Sequence, residues 1–458
     1  MKFNCRIIQT VVFGMALLWN MGAWAQSGDA LLKKLVEKGV LTQREANEVR
    51  EEVDKESAQA VEMHNKMKTG SWLDELSFSG DARMRYESFF GRQSPSALGV
   101  FDEVDRTRWR FRLRVGAVAR AGEWTAGFRL ATGEDPSLAG QGSDAISNNV
   151  SFDKFGEKWQ VVLDKAYISY EPPAVSNLKF TAGKMENPFW ETDMVYDHDL
   201  TPAGVAEQYS HVFRDENTIF VNFGQWVLAE DNTTQNNGVV SRGEDAYMLG
   251  FQAGHEWKIV PKKFELKQSL GFYDYFGIKD QVASAANTFN GSVIRNSLTT
   301  TGAGTVVWAK DFNVFSLNNE LKIGYFEKLP ITLQGEYINN VATNEFADGY
   351  KVGLKLWDAR KKGQYEIGYW YEFLRADATL SLWTDSDFGS SGTNGKGHIV
   401  KARYNFTDWA SLGFAYWYVQ NIDDFVRSSG ASNPDAGVAA NNQMRLDNRV
   451  QLDVTLKF

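Results

Sequence analysis

D-R-T-R-W-R-F-R-L-R-V-G-A-V-A-R, residues 105–120, is the stretch of sequence that decides the fold. Its first half places an arginine at every second position, and Trp109, Phe111 and Leu113 lie between these arginines. A period of two residues is typical of a β-strand, because an α-helix would spread the same arginines around its axis. One face of the strand therefore meets water and the other an apolar phase. A transmembrane β-barrel strand fits this pattern, and a solvated edge strand of a soluble sandwich is the alternative.

The composition of the chain is compatible with a barrel. The 458 residues include 14% aromatic residues, yet the mean hydropathy of −0.38 resembles that of a soluble protein. A barrel combines these two properties, because half of every strand is polar and faces the lumen. The formal net charge of −9 argues against a general nucleic-acid-binding protein.

Residues 1–25 have the layout of a secretory signal peptide. Lys2 and Arg6 precede an apolar stretch at 7–18, and the small-x-small motif A-W-A at 23–25 is a cleavage site. An anchoring transmembrane helix is the alternative, but the apolar stretch is short for one. Cleavage would remove Cys5, the only cysteine, and would change the formal net charge from −9 to −11. We therefore expect no disulfide and no thiol chemistry in the mature chain.

Residues 26–73 are predicted to form a short helical segment in the periplasm. The motif T-Q-R-E at 42–45 is a capping box that starts its second helix. Positions 46, 49, 53, 56, 60, 63 and 67 of that helix read Ala, Val, Val, Glu, Ala, Met and Met. This heptad seam, interrupted by Glu56, predicts a self-associating coiled coil. A single amphipathic helix lying on another surface is the alternative.

From residue 74 to residue 458 the period of two continues, and the sequence predicts an all-β antiparallel transmembrane barrel of about sixteen strands. The predicted strands are 74–87, 105–120, 123–131, 158–171, 177–184, 204–213, 218–229, 245–257, 263–276, 313–326, 329–341, 349–358, 363–375, 397–406, 409–421 and 442–458. Short and long connections alternate between them, as do the periplasmic turns and external loops of outer-membrane barrels. A soluble sandwich gives no reason for every long loop to lie at one end.

Three features resemble those of a bacterial outer-membrane porin of the sixteen-stranded, general-porin-like family. They are A-L-L-K-K-L-V-E-K-G-V-L-T-Q-R-E-A at 30–46, G-K-M-E-N-P-F-W-E-T-D-M-V-Y-D-H-D-L-T-P-A-G at 183–204, and the terminal Phe458. The resemblance implies a trimer of barrels, a third loop near 185–203 folded inward as a constriction, and passive diffusion of small polar solutes. It does not supply a particular solute.

The lumen is predicted to carry opposed charges. The predicted basic pore-lining residues are Arg83, Arg85, Arg106, Arg108, Arg110, Arg112, Arg114 and Arg129, extended by Arg445 and Arg449 if the last strand closes against the first. The predicted acidic pore-lining residues are Glu320, Glu336, Glu366 and Glu372, and the predicted constriction loop adds Glu186, Glu191, Asp193, Asp197 and Asp199. Such a transverse field favours polar solutes, and the arginines predict a modest anion preference. Alternatively, the arginines only pair with nearby acids and hold the loop in place.

These features together predict an outer-membrane porin with a water-filled channel. No G-x-S-x-G, H-E-x-x-H or phosphate-loop motif occurs, so we expect no enzyme, no cofactor and no metal site. Asp197, His198 and Asp199 could bind a cation, although a surface loop explains them more simply. The expected partners are outer-membrane lipid, two further copies of the chain, and small polar or anionic solutes, with no nucleic acid. The alternatives are a structural anchor that contacts the cell wall through its coiled coil, and an outer-membrane hydrolase.

Overall fold

The computed structural model describes most of the chain after residue 72. The described residues are 73–91, 93–95, 101–103, 105–133, 146–190, 193–214, 217–229, 245–281, 296–302, 306–326, 329–389, 392–422 and 446–458. The predicted signal peptide and, apart from Leu73, the predicted periplasmic segment at 26–73 lie outside the described residues. Arg445 and Glu191 lie outside them as well.

The described residues contain sixteen long strands, which confirms the predicted number. We name them β1 (Glu75–Phe89), β2 (Arg106–Ala121), β3 (Trp124–Gly133), β4 (Gln160–Tyr170), β5 (Leu178–Lys184), β6 (Ala203–Phe213), β7 (Asn217–Ala229), β8 (Ala246–Val260), β9 (Phe264–Phe276), β10 (Phe312–Ile323), β11 (Ile331–Asn340), β12 (Asp348–Trp357), β13 (Tyr365–Leu374), β14 (Gly395–Asn405), β15 (Ala410–Asn421) and β16 (Leu446–Lys457). Their ends agree with the predicted ends within a few residues.

The strands form one closed antiparallel barrel. Each strand pairs with the next along the chain, from β1 with β2 to β15 with β16. β16 then pairs with β1, in a register that places Asp453 opposite Arg85. Closure leaves none of these strands with an unpaired edge, which the hydrocarbon interior of a membrane requires.

The two faces of β2 differ as its sequence suggests. Arg110 and Arg112 are buried, whereas Leu113 and Val115 are 38% and 40% exposed. The arginine side chains therefore point into the barrel, and the apolar side chains between them form part of its outer surface. Among the described residues no helix is both long and apolar enough to span a membrane.

Described residues of several long connections are buried inside the barrel, and two of these connections form the constriction. We call residues 185–202 the third loop and residues 375–394 the seventh loop, after their order among the long connections. Met194, Val195 and Tyr196 of the third loop are buried, as are Leu380 and Leu382 of the seventh loop. Both loops belong to one apolar cluster with side chains of the barrel wall. A fully buried side chain of this size contributes about 1.5–3 kcal/mol, so the apolar cluster stabilises both loops inside the lumen.

The wall of this apolar cluster comes from strands on the side of the barrel away from β1 and β2. Its wall residues include Trp226 of β7, Met248 of β8, Tyr273 and Tyr275 of β9, Phe312 and Val314 of β10, and Ile338 of β11. The hydroxyl groups of Tyr196 and Tyr275 lie 2.7 Å apart and share a hydrogen bond. The apolar cluster therefore occupies one side of the lumen, and the inward arginines of β1 and β2 lie on the other side.

Candidate functional site: the lumen constriction

The basic side of the lumen is built by three neighbouring strands. The antiparallel register places Arg85 of β1 opposite Arg110 of β2, and Arg83 opposite Arg112. Arg449 of β16 follows on the other side of β1, opposite Phe89. We call the inward arginines of these three strands the basic wall. Several guanidinium groups are thus held close together by strand pairing alone, and each needs a partner or water.

Arg112 and Arg114 fix the third loop to the basic wall. The Asp199 carboxylate accepts from Arg112 Nη1 and Arg114 Nη1, each at 3.0 Å. Asp81 of β1 contacts the same two arginines, at 3.1 Å from Arg112 Nη2 and 2.6 Å from Arg114 Nε. Two carboxylates therefore balance two guanidinium groups. At these two positions the arginines pair with nearby acids and hold the loop in place.

The seventh loop is held by Asp387. Its carboxylate lies 2.7 Å from Arg449 Nη1 and 3.5 Å from Arg85 Nη1. Arg85 is also paired with Asp453 of β16, at 2.8 Å from its Nε. The seventh loop is not among the segments that the sequence predicts for the constriction. The sequence nevertheless indicates that this loop is buried, because Leu380, Leu382 and Trp383 form an unusually apolar run for an external loop.

Hydrogen bonds join the two loops into one constriction. The Asp197 N–H donates to the Trp383 carbonyl oxygen at 2.6 Å, and the Asp385 N–H donates to the Asp193 carbonyl oxygen at 3.0 Å. The Ser386 N–H donates to Asp197 Oδ2 at 3.0 Å. The third loop therefore does not act alone, and a displacement of either loop would disturb the other.

The other predicted basic residues lie in different settings. Arg108 is paired with Glu87, and Arg129 is paired with Asp164. Arg106 is exposed at the end of β2 that adjoins the first long connection. Arg108 and Arg129 thus each have a carboxylate partner of their own, whereas Arg106 lies at the exposed end of its strand.

The predicted acidic residues are mostly occupied by partners. Glu372 is buried and lies 2.9 Å from Lys351 Nζ, and Glu366 lies 3.0 Å from Arg403 Nη2. Glu320 accepts from Gln334 at 2.7 Å, and Glu336 is buried at 3.5 Å from Ser316 Oγ. In the third loop, the Glu186 side chain is 84% exposed and pairs with Lys165 at 3.1 Å. Strand lysines and arginines on the same side thus neutralise much of the predicted acidic wall.

His198 lies between carboxylates of the third loop. Its Nδ1 atom is 3.4 Å from Asp193 Oδ1 and 3.7 Å from Asp197 Oδ1. The hydrogen bond with Asp193 raises the pKa of His198 above its ordinary value. Ligand atoms of Asp197, His198 and Asp199 lie close enough for a metal ion. However, Asp199 is already bonded to two arginines and Asp197 accepts two backbone N–H groups, so these donors have other partners.

A cavity of about 270 Å³ lies between the basic wall, the two loops, residues 146–149 and the strands β12 to β15. Arg83, Arg85 and Arg110 line one side of this cavity, and Lys355, Lys401 and Arg403 line another. The aromatic rings of Trp370 and Trp417 complete the lining beside the lysine residues. Charged side chains of both signs line it, with a small excess of basic ones, which suits hydrated or charged solutes better than apolar ones.

Comparison with solved structures finds matches that cover most of the chain at low sequence identity. OprB of Pseudomonas putida is 13% identical with a TM-score of 0.49, and the match covers 84% of this chain and 94% of OprB. The outer membrane channel DcaP of Acinetobacter baumannii is 11% identical with a TM-score of 0.43, over 86% and 99% of the two chains. OmpF of Salmonella typhi, solved in complex with daunomycin, is 10% identical with a TM-score of 0.43, over 86% and 100%.

Comparison with protein families gives the assignment. No curated protein sequence matches the chain. A family model described as "Putative porin" matches residues 100–305 and 293–458, which together are well over half of the chain. The barrel, its inward loops and this match agree, and the chain therefore belongs to this family of outer-membrane porins.

Proposed function

We propose that the barrel is a water-filled channel for passive diffusion of small polar solutes and ions, with a modest anion preference. The observation that carries the proposal is the cavity between the basic wall and the two loops, because it is an open space inside the barrel that charged and polar side chains line. Confinement lowers the effective dielectric around the lining charges, so each acts more strongly than in bulk water. The proposed activity is diffusion without catalysis.

The proposed pore lining combines free and engaged charges. Arg83, Arg85 and Arg110 border the cavity, while Arg112 and Arg114 act by holding the third loop. The cavity lining includes six Lys or Arg side chains and five carboxylates. This small excess of positive charge supports a modest preference for anions, although the whole chain is acidic.

The proposed orientation places the short turns and the N-terminal segment in the periplasm, as in outer-membrane barrels in general. The proposed assembly is a homotrimer, which the heptad seam at 26–73 and the family resemblance both support. Within the proposed trimer each barrel would conduct separately, because each chain closes its own wall. The N-terminal helices are a candidate contact with the cell wall.

Reconstitution tests the channel itself. The mature chain would be purified in detergent, checked for a heat-modifiable folded form, and added to planar bilayers and to liposomes. We expect stepwise conductance increments, and liposome swelling that becomes slower as the size of a neutral sugar increases. Folded protein that produces neither conductance steps nor swelling would overturn the proposal and favour the anchor hypothesis.

A further inference from the structure

Two arginines of the basic wall differ from the others in their partners. Arg110 is 8% exposed, and its Nη2 donates to Ser147 Oγ at 3.2 Å and to the Asn149 carbonyl oxygen at 3.1 Å. Arg83 is 9% exposed, and its Nη2 donates to Asn149 Oδ1 at 2.8 Å. No carboxylate oxygen of the described residues lies within 4.0 Å of the Arg110 guanidinium, and Asp453 lies 3.9 Å from Arg83. These close partners are neutral, whereas the neighbouring arginines have close carboxylates.

The two guanidinium groups converge on a single residue. Arg83 and Arg110 are on adjacent strands, and both reach Asn149 through their Nη2 atoms. The Nε atoms of both arginines are buried and have no acceptor among the described residues. Burying a guanidinium group without a hydrogen-bonded carboxylate is costly, so two such groups side by side favour the entry of an anion.

Acids near these two arginines are already engaged. Asp387 is bonded to Arg449 and Arg85, and Asp453 is bonded to Arg85. Asp199 is bonded to Arg112 and Arg114, and Glu366 to Arg403. These four carboxylates of the cavity therefore contact other guanidinium groups, and of the four only Asp453 also lies within 4.0 Å of Arg83, without a hydrogen bond to it.

A further cation lines the same cavity. Lys401 of β14 has its Nζ 5.6 Å from the centre of the Trp417 ring. The part of the chain that the structure describes contains no ion pair to Lys401. The cavity thus offers two guanidinium groups, an ammonium group and an aromatic surface, with room for a molecule of a few non-hydrogen atoms.

We propose that Arg83 and Arg110 form a binding site for the carboxylate or phosphate group of a small anionic solute passing through the channel. Guanidinium groups recognise such oxyanions by paired, charge-assisted hydrogen bonds, which a neutral solute does not form. The site rests on the proposed channel and adds saturable binding to it. Binding has to be weak enough for the anion to leave again, as conduction requires.

The test is the block of chloride current by inorganic phosphate and, separately, by acetate, in planar bilayers at constant ionic strength. In the wild-type channel we expect each anion to reduce the current along a saturating curve. Arg83→Gln and Arg110→Gln should each raise the half-blocking concentration roughly tenfold, which corresponds to the loss of one charge-assisted hydrogen bond. Arg120→Gln is the matched control, since it removes the same charge from the inward face of β2 near its periplasmic end.

The outcomes separate the site from the channel. A conducting wild-type channel whose current does not saturate with either anion would overturn the binding site and leave the proposed channel intact. Equal effects of Arg110→Gln and Arg120→Gln would also overturn it, because they would show a general charge effect. Saturation by phosphate but not acetate would support the site and assign it to phosphate groups. If a glutamine variant does not fold, Arg110→Lys, which keeps the charge but loses the forked donor, should still weaken phosphate block.

Discussion

Asp199→Asn should loosen the third loop and increase anion selectivity. Asp199 accepts one contact of 3.0 Å from Arg112 and one from Arg114, and its side chain is 13% exposed. Removing one member of a buried ion pair costs about 3–5 kcal/mol. Asp81 remains on the same two guanidinium groups, so we expect a smaller loss of about 2 kcal/mol for the closed loop. That loss lowers the ratio of closed to displaced loop roughly thirtyfold.

The assay is single-channel recording with the mature chain in a salt gradient. The variant should show larger current fluctuations, because the loop leaves the basic wall more often, and a reversal potential shifted toward anion selectivity. Glu186→Gln is the matched control: it removes a carboxylate from the same loop, but that side chain is 84% exposed and its pair with Lys165 should contribute little. An Asp199→Asn channel whose current fluctuations and reversal potential equal those of wild type would refute the reasoning.

Three further predictions concern the lipid-facing surface of the barrel, the assembly and the predicted periplasmic segment. Leu113→Arg should reduce the yield of folded barrel on heat-modifiable gels, because a charge on the lipid face costs roughly 2–4 kcal/mol, whereas Leu113→Ala should fold. Mass measurement in mild detergent should give a trimer, and a species that is monomeric at every concentration would contradict the proposed assembly. Deleting residues 26–72 should leave single-channel conductance unchanged, and a chain that inserts but no longer conducts would count against an independent channel.

The strands could be predicted because their information is local. A period of two residues is visible within each strand, and the outer faces of β1 and β2 follow directly from it. The inward fold of the third loop near 185–203 is predicted from a family resemblance of residues 183–204. Alternation of short and long connections then predicts the antiparallel order, including the strand at 204–213, which is β6 in the structure.

The constriction could not be predicted fully because its contacts join distant parts of the chain. Arg85 and Asp387 are separated by 302 positions, and no pattern within either segment indicates the other. The seventh loop has no regular hydrophobic period of a strand or a helix. The sequence therefore predicts an external loop for Leu380 and Leu382, which the structure buries. Which arginines are neutralised also depends on loop positions, and this is why Arg112 and Arg110 differ although their sequence settings are alike.

The reversal potential of the wild-type channel in a potassium chloride gradient tests the central claim most directly. We expect a reversal potential of the sign that anion selectivity gives. Its size should decrease in 1 M salt, because the Debye length there is only about 3 Å and the lining charges are screened. Replacing Arg83, Arg85 and Arg110, the three arginines that border the cavity, together by glutamine should move it toward cation selectivity. A wild-type channel that is cation-selective, with a reversal potential unchanged by the triple substitution, would contradict the claim that these arginines set the field in the lumen.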